Sequence, residues 1–194
     1  MCAQAAAFEQ ALALHCAPAL TALAPANLVS LPAAEFPGLS GLLEAYNARL
    51  SAKGLAFTPL CQCRSRVLLL VYRPAFLDSR LKERHAARYL AGLGYPVSQG
   101  LDACLEVLRR RLNGGGDFPH EIGLFLGYPL ADVVGFCALG GECAKLSGHW
   151  KVYGDVDYAK RCFRRFDESR AALCQGLAEG RTLLQLLGAV PMAA

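Results

Sequence analysis

The sequence predicts an α+β fold in which a small sheet of three or four strands is surrounded by several helices. Residues 67–72 are apolar throughout and form a run of strand length, which is typical of a central strand covered on both faces. Apolar residues recur at helical spacing elsewhere, most regularly over 39–52 and 100–112. Glycine follows shortly after both of these segments, as expected at helix C-termini.

The first part of the chain supplies the predicted sheet. Its predicted elements are, in order, a helix over 4–16, a strand over 27–31, a helix over 39–52, a strand over 55–61 and a strand over 66–73. Pro18 should end the first helix, because proline lacks the N–H that an interior helical position donates. The last two strands form the strongest pair, and the short link over 62–65 suits a hairpin.

Helices dominate the rest of the chain. The predicted elements are a helix over 74–92, a helix over 100–112, a short helix opened by Pro119, a helix over 130–139, a strand over 145–153, and helices over 155–177 and 183–187. His85 shares a face with apolar residues of the first of these and is interpreted as a core histidine. The glycine-rich segment 113–117 is predicted to be a flexible joint within a single domain of residues 1–194.

Composition indicates a folded protein with a sizeable core. Hydrophobic residues make up 54% of the chain and charged residues 19%, with a net charge of +4. No apolar run approaches the ~20 residues of a membrane-spanning helix, and the N-terminus lacks the basic region of a signal peptide. The nine cysteines are scattered without a Cys-x-x-Cys pair, which favours a reduced, cytoplasmic protein. The mild positive charge does not by itself favour nucleic-acid binding.

A histidine–glutamate pair lies at the start of the short helix after Pro119. Proline suits the first helical position, which would place Glu121 at the third, where a carboxylate complements the helix N-terminus. Glu121 would then hold its charge, and His120 could exchange a proton or ligate a metal near neutral pH. We therefore predict His120 and Glu121 as catalytic residues. The alternative is structural, with Glu121 capping the helix and His120 holding the loop.

Four further residues are candidates for ligand binding. Arg73, Lys151 and Tyr153 lie near the ends of predicted strands, where two cations and a phenol suit a carboxylate or a phosphate. Ordinary salt bridges and a sheet-edge aromatic residue are the alternative. His15 lies at the predicted end of the first helix, which favours a cation, and it could join the site. These residue types identify no particular metal or cofactor.

Several blocks of the sequence resemble a family of bacterial proteins, DUF3793, and they occur in the family's order. The matching blocks are 15–20, 70–74, 118–129, 132–133, 135–136 and 150–155. The Pro-His-Glu-Ile-Gly run with the Gly-Tyr-Pro after it is the most specific of them. Ser147 departs from the family pattern, in which a cysteine is common near this place. The resemblance implies a shared fold and a site around His120 and Glu121, and the family's description assigns no activity.

These observations predict a small-molecule or metal-binding protein, with catalytic activity left open. The site would be a cleft between sheet and helices that gathers His120, Glu121, Arg73, Lys151 and Tyr153, with His15 nearby. The alternative is a non-catalytic interaction module that docks a protein partner through segment 124–129, which requires Phe125 and Tyr128 to be exposed. Nucleic-acid binding through the basic residues at 109–111 and 160–165 is a weaker alternative.

Overall fold

The computed structural model describes residues 3–63 and 65–189 and confirms the α+β class. The α-helices of this part of the chain are α1 (Ala3–Leu20), α2 (Leu39–Leu50), α3 (Pro74–Leu81), α4 (Arg84–Gly92), α5 (Leu101–Asn113), α6 (Ile122–Phe125), α7 (Leu130–Leu139), α8 (Val156–Ala178) and α9 (Leu183–Ala189). The strands are β1 (Ala26–Pro32), β2 (Ala56–Gln62), β3 (Arg66–Tyr72), β4 (Leu146–Ser147) and β5 (Lys151–Val152). Arg64, in the predicted hairpin link, lies outside the described residues.

The described residues divide into two compact units. The first contains residues 3–74 and 166–189, and the second contains residues 75–165. The glycine-rich segment 113–117, predicted to be a joint, lies inside the second unit. None of the described helices combines the length and the apolar character needed to cross a membrane.

The first unit is built on an antiparallel sheet in the strand order β1–β3–β2. The central position of β3 confirms the prediction from its apolar run, and its Leu69, Leu70 and Val71 are fully buried. Leu70 pairs with Leu28 of β1 on one side and with Thr58 of β2 on the other. Because α1 packs against β1 and β3, the core of this unit lies between that helix and the sheet.

Helix α1 runs through Pro18 to Leu20, so the prediction that this proline ends the helix is wrong. A proline inside a helix costs about 3 kcal/mol, because a backbone donor is lost and the ring crowds the preceding turn. Cys16, Ala19 and Leu20 are almost completely buried. Tertiary packing of the last turn therefore offsets the local cost of the proline.

Three further predictions are corrected by the structure. The predicted helix over 74–92 is two helices, because Glu83 adopts an extended ψ of 132° before α4 begins. Because of this break, His85 does not continue the apolar face of the preceding helix, and it is exposed. Its interpretation as a core histidine is therefore wrong. The predicted strand over 145–153 is a hairpin, in which the short strands β4 and β5 pair with each other.

Candidate functional site

The His120–Glu121 pair lies in a tightly turned segment just before α6. The Ile122 N–H donates to the Pro119 carbonyl over 3.0 Å, and the Gly123 N–H donates to the His120 carbonyl over 3.1 Å. Because α6 begins only at Ile122, Glu121 precedes the helix, and its side chain makes no capping hydrogen bond. The predicted third helical position of Glu121 is therefore wrong. Its carboxylate is buried, whereas the adjacent His120 is exposed.

Glu121 is only 6% exposed and is bound by two donors of the second unit. Tyr95 Oη donates to Glu121 Oε1 over 2.9 Å, and Arg111 Nη1 donates to the same oxygen over 3.0 Å. The Arg111 guanidinium also lies 5.1 Å from the centroid of the Tyr95 ring and donates to the Leu93 carbonyl. Burial, and after it the hydrogen bond to Glu121, raises the pKa of Tyr95. Glu121 thus fixes the turn that carries His120 to α5 and to the segment after α4.

The His120 imidazole contacts two phenylalanine rings. Its centroid lies 4.8 Å from the centroid of Phe136 in an edge-on arrangement and 5.6 Å from the centroid of Phe118. Phe118 is 46% exposed, and α7, which carries Phe136, also exposes Val134 and Leu139. The imidazole is therefore presented on an apolar and aromatic surface. Such a surface can stack on a planar organic group while the imidazole forms a hydrogen bond or exchanges a proton.

Lys151, a predicted ligand-binding residue, lies beside the C-terminal end of α7. Its Nζ donates to the Gly141 carbonyl over 2.7 Å. A Cβ placed on Gly141 would be 3.8 Å from Lys151 Cδ and 3.2 Å from Phe136 Cε2. The His120 ring contacts the Phe136 ring, and Lys151 contacts Gly141, which the Phe136 ring also approaches. His120 and Lys151 therefore lie near the same phenylalanine.

Tyr153, another predicted ligand-binding residue, is held by packing on α7. Asp132 is 2% exposed, and its carboxylate accepts hydrogen bonds from the Tyr153 N–H, the Gly154 N–H and Trp150 Nε1 over 2.8, 2.7 and 2.7 Å. The Tyr153 ring lies against Gly135, where a Cβ would come within 2.5 Å of Tyr153 Cγ. Its hydroxyl is buried without a hydrogen-bond partner. The contacts of Tyr153 are therefore those of a packing residue.

Arg73 and His15 belong to the first unit. Arg73 donates from Nε to the Ala19 carbonyl, from Nη2 to the Leu20 carbonyl and from Nη1 to the Lys53 carbonyl, over 2.7, 2.7 and 2.9 Å. Burial lowers the pKa of this guanidinium. His15 is exposed on α1, before the last turn of that helix. Arg73 thus satisfies the carbonyls at the C-terminus of α1.

The sequence did not predict the residues whose buried hydrogen bonds connect segments of the second unit. Tyr95 and Arg111 had no sequence signal that connects them with Glu121, because all three lie on different elements. Asp132 did carry a signal, since it is the one charged residue in the apolar segment over 130–139. A lone carboxylate on a helix that is apolar all round is expected to be buried and hydrogen-bonded.

The described part of the chain offers no cluster for a metal ion. Among residues 3–63 and 65–189, no group of three or more histidine, cysteine, aspartate and glutamate side chains is arranged to hold one. The cysteines of these residues are free thiols, namely Cys16, Cys61, Cys63, Cys104, Cys137, Cys143, Cys162 and Cys174.

Comparison with other proteins places the chain in a family. A search of curated proteins and a search of solved structures both gave no match. A family model described as "Protein of unknown function (DUF3793)" matches residues 12–187, which include both compact units almost completely and the whole segment around His120. The chain therefore belongs to the DUF3793 family.

Proposed function

We propose that this protein binds a small organic molecule at a surface site formed by Phe118, His120 and Phe136. The observation that carries the proposal is the placement of an exposed imidazole against two aromatic rings. A ligand with a planar apolar body would stack on these rings, and a polar group of the ligand would bond to the imidazole. We define these three residues as the His120 site.

Lys151 favours a ligand that also carries a negative charge. Its side chain is exposed and lies near Gly141, which the Phe136 ring also approaches. A planar ligand that covers the Phe136 ring would bring an anionic group towards the Lys151 ammonium. A carboxylate or a phosphate is the group that such a cation binds best.

Glu121 has a positioning role in this proposal, whereas His120 contacts the ligand. The Glu121 carboxylate is buried and faces Tyr95 and Arg111, so it holds the backbone of the turn and fixes the direction of its neighbour. Histidine is the side chain that most often serves in acid–base catalysis, so acid–base catalysis on the bound molecule is a reaction open to this site.

Two other predicted features bear on the proposal. Phe125 is fully buried, so an interaction surface at 124–129 would lack its central aromatic side chain. The free thiols of the described cysteines support our inference that the protein works in a reducing compartment such as the cytoplasm.

The proposal is tested by native mass spectrometry of protein that has been incubated with a cellular metabolite extract and then desalted. We expect the unaltered protein to retain one or a few small-molecule adducts. His120→Ala and Phe136→Leu should lose them, while the matched control His85→Ala, which removes an exposed histidine of the same unit, should retain them. The same adducts on every variant, or no adduct on the unaltered protein, would overturn the proposal.

A further inference from the structure

We infer that the first unit contains a second binding site, which takes a small molecule with an apolar body and one protonated amine. The site is a recess of about 550 Å³ between α2 and the sheet. It is independent of the His120 site, because every residue that lines it belongs to the first unit. The lining residues include Phe36, Ser40, Leu43, Glu44, Asn47 and Phe57.

The recess is held open by the attachment of α2 to the edge strand β2. Asn47 Nδ2 donates to the Phe57 carbonyl over 3.0 Å, and the Phe57 N–H donates to Asn47 Oδ1 over 2.8 Å. This amide occupies the backbone groups of Phe57 as a neighbouring strand would. Pro59, two residues further along β2, has no N–H to offer to another strand. The recess thus lies beside a sheet edge that cannot readily pair with another strand. A small molecule that contacts side chains suits it better than an added strand.

The floor of the recess is apolar and belongs to the packed core. Phe36, Leu43, Phe57 and Val67 are each less than a tenth exposed, and they belong to the continuous core of the first unit. A recess of this volume lies in the range of about 300–1,000 Å³ that is typical of small-molecule sites. The packed floor means that a ligand would enter a shape that already exists, without rearranging the core.

The charge of the lining selects the head group of the ligand. Glu44 is the one ionisable side chain among the described residues that line the recess, and the Ser40 hydroxyl lies 3.4 Å from its Oε1. Arg66, a cation at the start of β3, is not among the lining residues, and its guanidinium donates to the hydroxyl and the carbonyl of Ser30 on β1. An amine at the rim would meet the Glu44 carboxylate, whereas a carboxylate at the same place would be repelled.

The test compares three probes that share one apolar body, namely phenylbutylamine, phenylbutanol and phenylbutyrate. Binding is followed by heteronuclear NMR titration of the full chain at neutral pH. We expect the amine to bind in the millimolar range or tighter, with shifts centred on Leu43, Asn47 and Phe57. It should bind about tenfold more tightly than the carboxylate, since attraction and repulsion at a partly exposed rim add together.

Variants distinguish binding in the recess from binding elsewhere on the protein. Glu44→Gln should remove the preference for the amine, and Ser40→Trp, at an exposed lining position, should obstruct binding of all three probes without disturbing the fold. Glu83→Gln, an exposed glutamate of the second unit, is the matched control for charge, and His120→Ala should leave amine binding unchanged. Equal affinity for phenylbutyrate, no shift with the amine, or unaltered binding to Ser40→Trp would each overturn the inference.

Discussion

Buried acidic residues connect separate segments within each unit. Glu9 of α1 accepts hydrogen bonds from Tyr46 Oη over 2.7 Å and from the Leu183 N–H over 3.0 Å. Glu121 and Asp132 are bound in the same manner in the second unit. A buried carboxylate is tolerated when donors surround it. Removal of the carboxylate or of its donors leaves an unpaired polar group in the interior. Substitution of any of these residues is therefore expected to destabilise the fold.

Replacement of Glu121 by leucine should destabilise the protein by about 2–3 kcal/mol, because the Arg111 charge and the Tyr95 hydroxyl lose their shared acceptor. Urea denaturation at neutral pH measures the change. Glu106→Gln is the matched control, since Glu106 pairs with Arg109 on the exposed side of α5. Its effect should stay within about 0.5 kcal/mol. An equal effect of the two substitutions would show that Glu121 does not fix its turn.

Replacement of Asp132 by alanine should destabilise the protein by about 3 kcal/mol or more, because three donors lose a charged acceptor. The chain has a single tryptophan, Trp150, whose indole N–H is one of these donors. Because the carboxylate that accepts from the indole is then gone, the tryptophan fluorescence emission should change in the folded variant. Asp117→Ala, at an exposed loop position, should change neither stability nor emission. Unchanged emission from the Asp132 variant would contradict the described role of this carboxylate.

The sequence predicted a site around His120 and Glu121, but it did not predict how the two side chains are placed. That prediction came from the Pro-His-Glu-Ile-Gly run, whose residue types suit a helix start. Which of two adjacent side chains turns inward depends on where the helix begins, and α6 begins later than Pro119 suggests. The aromatic contacts of His120 come from Phe136, on another helix, and local spacing carries no information about that contact.

At the scale of elements, α7 shows how two glycines allow close packing. A Cβ on Gly123 would lie 2.9 Å from Val133 Cγ2 of α7, and a Cβ on Gly135 of α7 would collide with the Tyr153 ring. Neither glycine has a positive φ. These glycines therefore allow two segments to approach each other, because they carry no side chain at the contact.

Replacement of Gly135 by alanine should destabilise the protein by about 2 kcal/mol or more, although alanine favours a helix by about 1 kcal/mol. The reason is that the new methyl group would displace the Tyr153 ring. Gly41→Ala in α2 is the matched control, because no atom lies within 4 Å of the Cβ that it would add. That variant should be slightly stabilised, as measured by thermal unfolding. A stabilised Gly135→Ala would show that the ring yields without cost.

Elements with a strong local pattern were predictable, and elements that depend on tertiary contacts were not. The apolar run of β3 gave both its type and its central position in the sheet. The end of α1 was misplaced, because the burial of its last turn outweighs the local effect of Pro18. Neither proline nor glycine lies at the break before α4, at Glu83, so no residue type typical of a helix end predicted it.

At the scale of the whole molecule, buried and half-buried tyrosines of both units resist ionisation. Burial, and after it the hydrogen bond to Glu9, raises the pKa of Tyr46 in the first unit. Burial and then Glu121 have the same effect on Tyr95 in the second unit, and burial raises the pKa of Tyr128 to about 12. In the unfolded chain these phenols ionise near pH 10, which is the usual value of tyrosine. The folded state therefore retains protons that the unfolded state releases.

The free energy of unfolding should accordingly fall between about pH 10 and pH 12, where these tyrosines ionise only in the unfolded chain. Over this range the unfolded state binds fewer protons than the folded state, so each protected tyrosine lowers stability by at most about 1.4 kcal/mol per pH unit. Urea denaturation at successive pH values, with tyrosine absorbance recorded in parallel, measures the slope. Tyr128→Phe should reduce it, because the ring stays stacked on Trp150 while the ionisable hydroxyl is gone. A slope that is unchanged in this variant would show that Tyr128 ionises as freely in the folded protein as in the unfolded chain.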